Sequence, residues 1–234
     1  MKLYKNTIYI FLLISLLSLL PVFCLREGSI SGNISLAIFG SSLVTLFSAC
    51  IAYHCKKKEI FQTLGLNCVE IYGIIWHLVF IIKNSNKNRL DLLSFHKIIT
   101  CIQRSAKLLE AAKLSFLLQE FSEVLSSNFC IKFHENKEIK LISSLYSVDS
   151  NLILPLSKFS SQLTIFEWEV TKEQNTEKQK EKLSVFEKEI ENLIKISEKQ
   201  LSFLDQQIEI LFKHSNFALS WEKVKTEIES KDSL

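Results

Sequence analysis

Cysteine and histidine are the side chains of this 234-residue sequence with the widest chemical reach, and their spacing argues against most of it. The six cysteines stand at Cys24, Cys50, Cys55, Cys68, Cys101 and Cys130, with no C-x-x-C pair. The five histidines (His54, His77, His96, His134 and His214) do not pair at ligand spacing. No metal site is therefore expected, and the thiols read as reduced, mostly buried side chains of a domain in a reducing compartment. Glu70 and His77 fall on one stripe of a helix, but seven residues at 1.5 Å each separate them by about 10 Å, too far for a direct acid–base pair. A polar stripe facing other helices or headgroups is the plainer reading. No Gly-rich phosphate loop, nucleophile elbow, zinc-helix motif or calcium loop occurs, and serines and histidines show no triad spacing. The chain is expected to be no enzyme and to need no cofactor.

The remaining chemistry lies at Cys55 and the following Lys56, Lys57 and Lys58. Three lysines attract anionic headgroups by about 1 kcal/mol each, which makes them candidate membrane-surface residues. A cysteine beside them is a candidate acylation site, with an unmodified thiol as the simpler alternative. Their position follows from the elements before them. Two apolar runs, Thr7–Leu25 and Asn33–Cys55, contain no charged side chain and are each about the 20 residues that a helix needs to cross hydrocarbon. Pro21 sits near the exit of the first run, and Gly40, Ser41, Ser42, Ser48 and Ala49 give the second the small residues that let helices pack closely.

Lys2 and Lys5 precede the first run and the triple lysine follows the second, whereas the connecting loop, 26–32, has only Arg26, offset by Glu27. Both termini are thus expected in the cytosol. A cleaved signal peptide competes for the first run, but Val22-Phe23-Cys24 lacks a small-x-small cleavage pattern. The organisation that results is a two-span transmembrane hairpin over 1–58 and a cytosolic helical domain over 59–234.

With 5 Gly and 2 Pro the chain favours long helices, so the fold class is all-α. The net charge of +3 comes without a basic stripe interleaved with aromatics, which excludes a nucleic-acid partner; no small-molecule substrate is indicated either. Ile60–Ile82 is apolar almost all round. Its lysine-flanked ends, and a cost of about 2.5–3.5 kcal/mol for Glu70 at the centre of a span, favour a core helix of the cytosolic domain or one lying along the membrane. Asn84–Asn88 is a break. A long helix is expected from Arg89 to about Ser126, with Leu93, Ile98, Ile102, Leu109, Ala112, Phe116 and Leu117 among its inward candidates. Phe129, Ile131 and Phe133 alternate with polar residues like an extended segment, Glu135–Ser147 reads as a helix, and Asp149, Ser150 and Asn151 offer caps to another carrying Leu156, Phe159, Leu163, Phe166 and Val170.

The strongest periodic signal lies at about 176–229. Leu183, Phe186, Ile190, Ile194, Ser197, Leu201, Leu204, Ile208, Leu211, Ser215 and Ala218 are spaced 3 or 4 apart throughout, a heptad seam with one stutter. A long, partly coiled-coil helix follows. Its seam packs either on the chain's own helices or, as an interaction seam through Leu183, Phe186, Ile190, Ile194, Leu201, Leu204, Ile208 and Leu211, on a protein partner or a second copy.

This layout of two closely spaced spans, a short loop, cytosolic termini and a helical tail resembles the inclusion-membrane proteins of chlamydiae, with their bilobed hairpin matching Thr7–Leu25 and Asn33–Cys55 and their tail matching Lys56–Leu234. The resemblance implies a multi-pass protein of an inclusion or bacterial membrane, whose tail meets a host cytosol and recruits partners by helix–helix contacts. The apolar run beginning at residue 7 departs from the polar secretion signal usual in that family. The functional expectation is a membrane-anchored adaptor; a small oligomeric pore-forming or membrane-perturbing effector is the alternative.

Overall fold

The computed structural model describes residues 2–24, 30–85, 91–125, 135–215 and 217–231. These are helical apart from short turns, and no strand occurs among them. The alternating segment at 129–133 lies outside the described residues. Two compact units are formed: 2–24, 30–61 and 123–125 belong to the first, and the other described residues to the second.

The first unit contains α1 (Lys2–Cys24) and the beginning of α2 (Ile30–Ser85). Pro21 falls in the last turn of α1, where it leaves the Leu17 carbonyl without the N–H four residues on. The side chains bury in inverse order of their hydrophobicity. Ser15 (5 % exposed) and Ser42 (2 %) face each other with their hydroxyl oxygens 2.6 Å apart, while Leu13, Leu17 and Val44 are exposed at 56 % or more. Each of these serines also donates to its own helix, Ser15 to the Phe11 carbonyl and Ser42 to that of Phe39, both at 2.8 Å.

The domain boundary expected after Lys58 falls inside a helix. α2 runs unbroken for 56 residues, and Lys56–Lys58 lie within it. Lysine is a good helix former, neither Gly nor Pro stands between Gly40 and Gly65, and Lys56 pairs with Glu59 one turn on at 2.7 Å. By length and composition α2 is the one helix among the described residues able to cross a membrane; Asn6–Pro21 is a shorter apolar stretch.

In the second unit the rest of α2 is a core helix, with Cys68, Ile71, Ile75, Leu78 and Ile82 fully buried. Asp91 caps α3 (Leu92–Ala111), accepting from the Ser94 N–H at 2.8 Å. The long helix expected to continue to about Ser126 breaks instead at Lys113, whose φ of +49° is left-handed, and α4 (Leu114–Leu125) starts in a new phase. Leu114, Leu118 and Phe121 therefore point inward, whereas Phe116 and, at the far end of α3, Leu93 are exposed. Asn67 on α2 donates to the freed Ala112 carbonyl at 2.7 Å, so a tertiary bond supports the break.

α5 (Glu135–Val148) does not stop at Asp149–Asn151 as the capping side chains suggested. It passes through a π turn, Asp149–Ile153, into α6 (Leu154–Lys172). Pro155 explains this: it cannot donate to the carbonyl four residues back, and a widened turn takes up the ring without ending the helix. α6 packs on α3 and α7, where Phe95, Phe166 and Phe186 meet with ring centroids 4.8–6.1 Å apart.

Asn175 caps α7 (Thr176–Ser215), which is shorter than the expected 176–229 helix. Beyond Ser215 the chain turns and returns as α8 (Trp221–Lys231). One carboxylate pins the return: Asp205 accepts from Trp221 Nε1 at 2.6 Å and from Lys225 Nζ at 2.7 Å. Trp221 is thereby buried edge-on against Tyr72 at 5.1 Å, and Phe217 lies so close to Gly65 that a Cβ there would sit 3.0 Å from its ring. Burying these rings outweighs the continued seam, of which Ala218 is exposed.

Lys113→Gly removes the left-handed penalty of about 1 kcal/mol and should raise the melting temperature by about 2–4 °C, whereas Lys113→Val should lower it. Thermal circular dichroism of the solubilised chain reads both. Burial, and then the bond to Glu229, hold the Tyr72 hydroxyl above the ordinary value of 10.0. Its contribution to the docking of α8 is present in full below pH 10 and is lost as pH rises through the higher folded value. In an absorbance titration Tyr72 should ionise after the exposed tyrosines, and Tyr72→Phe should remove that late phase.

Candidate functional site

The residues singled out in the sequence separate into three places. Cys55 is an exposed free thiol. Lys56 and Lys58 are exposed, and Lys57 holds its ammonium 5.9 Å over the Phe61 ring. The heptad seam lies elsewhere and faces inward: Leu183, Phe186, Ile190, Leu201, Leu204, Ile208 and Leu211 are buried and Ile194 half-buried. Its apolar stripe is covered by the chain's own helices. Even the polar seam positions Ser197 and Ser215 are fully buried, Ser215 donating back to the Leu211 carbonyl at 2.7 Å.

The third place is a half-open groove of about 760 Å³ between α2 and α3. The two helices run antiparallel here: five residues join the end of α2 at Ser85 to the Asp91 cap of α3, and at the other end Asn67 meets Ala112. Glu70 and His77 stand together on the α2 wall, and Lys97 and Arg104 stand on the α3 wall. Ile74, Ile81 and Leu108 supply the groove's apolar lining, together with Cys101. All four charged or titratable side chains are exposed. Neither Lys97 nor Arg104 has an ion-pair partner among the described residues.

Sequence reasoning found Glu70 and His77 but missed their opposite wall. Lys97 and Arg104 are seven residues apart, as Glu70 and His77 are, and that repeat was the available signal. The groove does not have the features of a nucleophilic site. Burial pushes the Cys101 thiol above its usual range, an effect that the nearby Arg104 and Lys97 only partly offset. Cys68, wholly buried, is pushed up to about 12. Among the described residues no cluster of three His, Cys, Asp or Glu side chains could hold a metal ion.

No family model matches the chain, and no curated protein or solved structure shows significant similarity to it.

The thiols should therefore react in a fixed order. With a maleimide at neutral pH, peptide mapping should find Cys55 modified at least about a hundredfold faster than Cys68 and Cys101, which become reactive only on unfolding. Rapid labelling of Cys101 in the folded chain would contradict its burial.

Proposed function

We propose that this protein is a membrane-anchored helical adaptor. α1 and the apolar part of α2 form its two-span anchor, and the second unit is its scaffold for protein partners. The inverted burial of the first unit carries the reading. Thirteen large apolar side chains between Ile10 and Ile51 are exposed, while Ser15, Ser18, Ser42 and Ala49 are buried. In water each exposed side chain forgoes about 1.5–3 kcal/mol, together more than the 5–15 kcal/mol by which a typical domain is stable. Hydrocarbon removes that cost, and small residues then belong at the helix–helix contact. Lys56–Lys58 lie at the headgroups in this reading, with Cys55 beside them as the acylation candidate and both termini on the cytosolic side. The layout shared with chlamydial inclusion-membrane proteins favours a membrane bordering a host cytosol as the setting.

A second reading, an oligomeric pore, draws on Ser41 and Ser48, exposed seven residues apart on α2. The Ser41 hydroxyl donates to the Ile38 carbonyl at 3.0 Å, and such a back-bonded serine is at home against lipid. The anchor is therefore preferred.

Expression of the intact chain in bacteria separates the two. An adaptor resists alkaline extraction, exposes both ends to protease from the cytosolic side only and leaves the membrane potential unchanged. Prompt depolarisation that Ser41→Leu/Ser48→Leu abolishes would replace it with the pore.

A further inference from the structure

The geometry points to the groove between α2 and α3 as the seat of an amphipathic helix from a partner protein, one that carries acidic residues along a single flank. This deepens the adaptor reading and rests on it. The walls of the groove repeat at heptad spacing. Glu70 and His77 are seven residues apart, and so are Ile74 and Ile81 on the same helix; on α3 the repeat recurs in Lys97 and Arg104. A helix crossing at a shallow angle presents its residues at this same period, so each of its turns meets the same surroundings. An acyl chain or a small ligand has no such period. From Glu70 to Ile81 the groove is about 16 Å long, two heptads of a helical occupant being somewhat longer.

Charge sets the partner's chemistry. On the α3 wall Lys97 and Arg104 are exposed and lack an ion-pair partner among the described residues. They lie where the flanking positions of a third helix would pass, and acidic residues seven apart on that flank would meet both. Glu70 on the opposite wall favours a basic residue on the other flank, so the occupant's direction as well as its identity is selected. Ile74, Ile81 and Leu108 take its apolar stripe.

The test uses the full chain in zwitterionic nanodiscs and two synthetic peptides of about 18 residues. Both have leucine at the core positions; the first has Glu on one flank and Lys on the other, and the second has Lys on both flanks, so that neither direction of docking brings Glu to Lys97 and Arg104. Fluorescence anisotropy is read against empty nanodiscs. The first peptide should bind at least tenfold more tightly than the second, less so at high salt, and Lys97→Glu/Arg104→Glu should reverse the order. Both substitutions are on the surface, and circular dichroism checks that the fold is kept. Equal binding of the two peptides, binding no greater than to empty nanodiscs, or an order that the charge reversal leaves unchanged would overturn the proposal. So would a chain that is dimeric in nanodiscs and becomes monomeric on the double substitution, since the occupant is then a second copy. Alkaline extraction and membrane potential, measured on the same variants, report on the anchor separately from the groove.

Discussion

A single helix whose pattern of exposure changes along its length is the constraint on which the rest depends. Over its first residues α2 exposes Ile34, Leu36, Ile38, Val44, Phe47 and Ile51, with no face kept for water. From Leu64 onward the pattern is one-sided, with Leu64, Cys68, Ile71, Ile75, Leu78 and Ile82 buried and Glu70 and His77 exposed. A uniform apolar helix in water would aggregate, and a one-sided one in hydrocarbon would strand Glu70. The change of pattern within one helix is the observation on which the proposed anchor rests.

The second unit is organised around the one-sided part of α2. α7 runs alongside it, with Gln62 donating to the Ser215 carbonyl at 3.2 Å and Lys83 pairing with Glu198. α8 returns beneath Asp205, so Tyr72 has an aromatic neighbour and a carboxylate at once. α3 closes the other side and is tied to α6 by the His96–Glu167 pair at 2.7 Å. The heptad seam of α7 thus serves as an internal spine. In the groove, cations without an ion-pair partner among the described residues border apolar side chains.

Much of this was legible in the residues. The helical class follows from scarce Gly and Pro, the core role of Ile60–Ile82 from its lysine-flanked ends and Glu70, and the start of α7 at Thr176 and the inward Leu156, Leu163 and Val170 from periodicity. What the residues did not show is where individual helices end. Lys113 is not a residue that advertises a left-handed turn, and its break depends on Asn67, distant in sequence. Asp149, Ser150 and Asn151 look like caps, yet Pro155 is accommodated by a π turn. Three lysines look like a boundary, but they do not interrupt a helix. The groove was half visible, because pairing Glu70 and His77 with Lys97 and Arg104 needs the antiparallel register of two helices.

The most direct measurement of the central claim is the water accessibility of single cysteines placed along α2 in the native membrane, read with a membrane-impermeant maleimide. The account predicts that Val44→Cys, Phe47→Cys and Ile51→Cys, exposed though they are in the fold, stay unlabelled from both sides, whereas Leu66→Cys and Glu70→Cys label readily. Rapid labelling at positions 44, 47 and 51 in intact membranes would put that stretch in water and contradict the account.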